Sequence, residues 1–164
     1  MLMVLAGLVC STPRAAEVDY SFIKQAWEMS MRVKEFLRLQ AEVGKICGAP
    51  VTSAFTKWKA ENAADLTHFD RMRLGMEKAI AKSAPSGQSP EDVFKSYDAI
   101  IEDSVTRGVA PFSGMNETQR LATCQRWAEL LTQSESPIRK RIHDQLAYFI
   151  EHQREIKKNF DAGA

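Results

Sequence analysis

Cysteine is scarce in this chain of 164 residues: there are three, at positions 10, 47 and 124. None belongs to a Cys-x-x-Cys pair, which argues against dithiol redox chemistry, and the lack of Cys-x-x-Cys-His excludes c-type haem attachment. Long hydrophobic runs are also missing. The run from Leu2 to Cys10 falls far short of the ~20 apolar residues that span a bilayer, so no membrane-spanning helix is expected. Charge of one sign is absent, with 22 basic against 21 acidic side chains. Neither bulk nucleic-acid binding nor a strongly anionic surface partner is implied. Period-two alternation long enough for a strand does not occur, and neither Gly-x-Ser-x-Gly nor a glycine-rich phosphate loop is present. Histidine is limited to His68, His143 and His152. Asp65-x-x-His68 puts two potential ligands on one helical face, but a matching second pair is missing, because Lys140 and Phe149 precede the other two histidines at the required spacing. No metal, no cofactor and no catalytic constellation is therefore expected.

What the chain does have begins with a leader-like segment. Leu2 through Cys10, then Ser11-Thr12-Pro13 and Arg14-Ala15-Ala16, follow the order of an apolar region and a processing region. Residues 1–16 read as an export signal and 17–164 as a single domain, which places the protein in the periplasm or outside the cell. The composition, 45% apolar and 26% charged, suits one domain with a real core.

Periodicity along that domain is helical. Phe22, Ala26, Met29, Val33, Phe36, Gln40 and Val43 share one stripe, with Gln40 its polar member and Asp19 a potential N-cap. Gly48-Ala49-Pro50 ends this helix and opens a second, whose stripe runs from Val51 through Phe55, Trp58, Asn62, Phe69 and Met76 to Ile80. Ser83 to Ser89 is linker-like. Ser89-Pro90-Glu91-Asp92 starts a third helix, which Gly108 is expected to stop. Asn116 and Gln119 form a capping-box pattern opening a fourth, and Ser136-Pro137 opens a fifth that extends to Phe160. The expected fold is all-α: an antiparallel bundle of four to five helices, with helices three and four read as a broken pair.

Cys47 falls at the end of helix one and Cys124 early in helix four, each in register with an apolar stripe. In an oxidising compartment the two pair, stapling those helices together. The 109–115 loop carries Phe112 and Met115, which either tuck over the core or meet a partner. Trp27, Trp58 and Trp127 lie at or beside core stripes, and Asn62 is expected to bridge to a neighbouring helix or to the loop after Gly108. Arg139-Lys140-Arg141 is interspersed with acids and reads as a solvated face.

Cys47, Pro50, Trp58 and Asn62, spaced Cys-x-x-Pro and Trp-x-x-x-Asn with a distant second cysteine, resemble a pattern in small exported helical proteins of proteobacteria. Glu61 stands where that pattern has arginine. The resemblance implies a periplasmic helical domain and no catalytic residue; proteins of this general kind include immunity proteins against secreted toxins and accessory parts of envelope machinery. The expected function is a non-enzymatic periplasmic interaction module with a protein partner. The alternative is a small-ligand binder with a cavity lined by Met72, Met76, Phe94 and Trp127.

Overall fold

The computed structural model describes residues 20–83, 87 and 89–162. The leader-like segment, Asp19 and most of the 83–89 linker lie outside the described residues. Seven α-helices follow in order: α1 (Tyr20–Cys47), α2 (Ala49–Glu61), α3 (Ala63–Ser83), α4 (Pro90–Val109), α5 (Glu117–Thr132), α6 (Pro137–Glu151) and α7 (Gln153–Ala162). A 3-10 turn, Ala110–Gly114, joins α4 to α5. The all-α bundle with one disulfide is thus the observed architecture.

Helix starts follow the capping chemistry of the sequence. Ser89 Oγ accepts from the Asp92 N–H, Asn116 and Gln119 complete a reciprocal capping box at 3.0 and 2.9 Å, and Ser136 Oγ accepts from the Arg139 N–H. Gly48 joins α1 to α2 at φ 69° and ψ −146°, a conformation essentially reserved for glycine.

Contact partners fix the directions. Thr52 Oγ1 donates to Gly44 O at the top of α1, and Trp27 Nε1 donates to Glu77 near its bottom, so α2 and α3 descend as α1 rises. Lys34 pairs with Asp98 at 2.5 Å and Arg38 with Glu102 at 3.0 Å, so α4 rises parallel to α1. Tyr97 strengthens this seam by donating to Glu28 at 2.5 Å, and burial together with that carboxylate pushes its phenol up to about 12. The Cys47–Cys124 bond and the Trp127–Gln40 hydrogen bond set α5 antiparallel to α1. Arg139 pairs with Glu61 and Phe149 packs on Phe69, so α6 descends beside α3. The chain therefore runs up, down, up, down in four columns, and the last column is α5, α6 and α7.

This corrects the expected pairing of helices three and four. Pro111 and the 3-10 turn reverse the chain between α4 and α5, whereas the break at 133–136 interrupts a column without reversing it. Two further breaks divide what periodicity read as single helices. At Asn62, the side-chain amide donates to Trp58 O at 2.8 Å. At His152, the ring Nδ1 lies 2.9 Å from Tyr148 O. In each case a polar side chain competes for the carbonyl four residues back and the backbone leaves helical geometry. Asn62 thus caps its own helix and does not bridge to another. Gly108, expected as a stop, lies inside α4; a Cβ there would stand 2.8 Å from Leu39 Cδ1, so glycine lets α4 approach α1.

α1 packs against all six other helices. Its buried surface is accordingly wider than one stripe: Ile23, Trp27 and Ser30 are buried in addition to Ala26, Val33, Phe36, Gln40 and Val43. The core is built around this helix, with Phe36, Phe55 and Trp58 in mutual aromatic contact at centroid distances of 5.1 to 6.4 Å.

Candidate functional site

The site begins with a buried polar group. Gln40 is 1% exposed on the apolar stripe of α1, and its Oε1 accepts from Trp127 Nε1 of α5 at 2.6 Å. An unpaired amide or indole N–H inside the core would be costly, so this bond fixes α5 at a set height on α1. Because the chain breaks between α5 and α6, the two helices leave a cleft beside Trp127. Phe36 and Leu39 of α1, Trp127, and Ile138 and Ile142 of α6 make its apolar wall, and its volume is about 520 Å³. That lies within the range of small-molecule and side-chain pockets.

Its rim is polar. Arg32 and Glu35 on α1 face Arg141 and Gln145 on α6 across the opening. Glu35 is engaged by the Ser104 hydroxyl, which donates to its carboxylate. Arg32 and Arg141 are exposed and form no ion pair among the described residues. Gln145 Oε1 is buried without a hydrogen-bond partner among the described residues. Beyond Arg141 the groove continues into a shallow polar depression lined by Lys140 and Asp144.

The residues singled out from the sequence are distributed as follows. Cys47 and Cys124 are bonded, with Cα atoms 5.4 Å apart, joining the end of α1 to α5. Phe112 is only 6% exposed, with its ring 6.2 Å from that of Trp127, and Met115 is half-buried against the core. The 109–115 loop is therefore tucked, and Phe112 does not offer itself to a partner. Met72 and Met76 are buried in α3 and Phe94 packs on Trp27, so of the four expected cavity residues Trp127 alone lines the cleft. The basic cluster divides. Arg139 turns to Glu61 and to the carbonyl of Thr132, while Arg141 faces the cleft. Arg32 and Gln145 were missed from the sequence, and Arg141 was read as part of a solvated face; the available signals were Gln40, a polar residue on an apolar stripe, and Trp127, expected to line a cavity.

No family model, curated protein or solved structure matches this chain. Among the described residues, no group of three potential metal ligands occurs, and no helix is long and apolar enough to cross a membrane. Among the described residues, the exposed large apolar side chains fall one on each of five helices: Ile46, Leu74, Ile100, Leu121 and Ile150. Exposed apolar side chains taken singly are ordinary surface. The apolar surface of the cleft is concave and gathered in one place.

Proposed function

We propose that this protein is a non-enzymatic, extracytoplasmic binding module that engages a protein partner through the cleft between α1, α5 and α6. The observation that carries the reading is the juxtaposition of a preformed apolar cleft with two arginines, Arg32 and Arg141, that form no ion pair among the described residues. The leader-like sequence and the Cys47–Cys124 bond support a periplasmic or secreted setting, where such a bond persists. A toxin-neutralising role and an accessory role in envelope machinery both use a contact of this kind.

Site-specific photo-crosslinking tests it. A photoreactive residue at Lys140, exposed in the depression that adjoins the cleft, is expected to give a discrete adduct in cells, and the same group at Ile100, on the far side of α4, none. Equal labelling from both positions, or no adduct from Lys140, would overturn the assignment of the cleft. Recovery of the protein in the cytoplasmic fraction with its leader intact would overturn the export reading.

A further inference from the structure

The polar groups around the cleft specify more than an apolar partner. We propose that the cleft captures the C-terminal end of a protein chain: a last residue with an apolar side chain, its free carboxylate and its backbone N–H. This rests on the cleft being the binding site.

Three features of the cleft match three features of such an end. A volume of about 520 Å³ with apolar walls accepts one or two aliphatic or aromatic side chains and excludes a folded domain. Arg32 and Arg141, contributed by different helices, flank the opening and have no ion-pair partner among the described residues. A guanidinium carries a planar set of donors that matches a carboxylate, so the two present complementary charge to a chain end. Two carboxylates lie near them, Glu35 in the cleft, where it accepts from Ser104, and Asp144 in the outer depression that Arg32 and Arg141 also line, and neither forms an ion pair with either arginine among the described residues.

Gln145 supplies the third match. Its Oε1 is a buried acceptor with no donor among the described residues, on the same cleft wall as Arg141. Its terminal torsion is broad, so the amide can turn its oxygen into the cleft. A backbone N–H entering beside the carboxylate would then satisfy it. A simple apolar anion would leave that acceptor unpaired, whereas a peptide end carries both the anion and the donor. Capture of a terminal carboxylate with an adjacent side-chain pocket is an established mode of peptide recognition.

The test is a titration of the full protein with acetyl-Ala-Ala-Leu and acetyl-Ala-Ala-Phe, each as the free acid and as the C-terminal amide. The readout is the indole N–H signal of Trp127 in nitrogen-15 NMR, assigned with Trp127→Phe, because that proton reports on the cleft through its bond to Gln40. The acids are expected to shift this signal and to bind about tenfold or more tightly than the amides. The double variant Arg32→Gln/Arg141→Gln, whose changes lie on exposed side chains, is expected to erase the difference between acid and amide. Methylating the last backbone nitrogen of the acid is expected to weaken binding in the wild type and to have no effect in Gln145→Leu. Equal affinity of acid and amide would overturn the chain-end proposal, as would failure of both peptides to bind. In either case a positive crosslink from Lys140 would leave the assignment of the cleft standing, and its absence would remove both.

Discussion

At the scale of single residues, the group that organises this protein is Gln40. It occupies a position where the helical period demands an apolar side chain, and it is nevertheless 1% exposed. Its oxygen takes the indole proton of Trp127 at 2.6 Å, which gives the two helices a height at which they lock. Removing one partner strands the other. Gln40→Leu is expected to cost about 1–3 kcal/mol because it leaves a buried indole N–H unpaired, and Trp127→Phe to cost a similar amount with some added loss of packing. The double variant is expected to be less destabilised than the sum of the two, since each change removes the same bond. Urea denaturation of the four proteins measures the coupling, and strict additivity would refute the pairing.

At the scale of elements, the sequence was most legible where local chemistry decides the outcome. Ser89, Asn116 and Ser136 were readable as caps because a side-chain oxygen before a run of helix formers has one natural partner, the orphan N–H of the first turn. Breaks inside columns were not legible. Asn62 and His152 sit in periodic apolar context, and only the backbone shows that their side chains reach for the carbonyls of Trp58 and Tyr148. Of the cleft, the sequence offered only Trp127, expected to line a cavity, and Gln40, a polar residue on an apolar stripe. Arg32 and Arg141 look like any exposed charge until the α5–α6 break opens the space between them, and that spacing depends on tertiary packing. Gly48 was readable as a helix end, and its geometry makes the expectation quantitative. At φ 69° and ψ −146° a Cβ is strained even though nothing lies within 4 Å of it. Gly48→Ala is expected to destabilise by about 1–3 kcal/mol through the backbone alone, measured as a lowered denaturation midpoint. An unchanged midpoint would mean that the α1–α2 junction relaxes into another conformation.

At the scale of the whole molecule, the disulfide and the cleft depend on one another. The bond spans 77 positions and encloses α2, α3 and α4, a loop whose constraint in the unfolded chain is worth roughly 4 kcal/mol. α5 needs that constraint more than its neighbours do. Its buried side chains are Cys124 and Leu131, whereas α6 inserts Ile142, Leu146 and Phe149 and carries the Arg139–Glu61 pair. Without the bond, α5 is held to the top of α1 chiefly by Trp127 on Gln40 and by its packing on α2. In a Cys10→Ser background, the native protein is expected to show no free thiol when denatured without reductant. Replacing Cys47 and Cys124 by serine is expected to lower stability by about 2–5 kcal/mol. Hydrogen exchange in that variant is expected to accelerate first over residues 117–132 and later over 137–151, since the last column opens from its least buried end. Because α5 supplies Trp127 to the cleft wall, binding at the cleft is expected to weaken with the same substitutions, even at temperatures where α1, α3 and α6 remain folded. Uniform exchange along the last column, or a cleft whose affinity survives loss of the bond, would show that α6 alone positions the site.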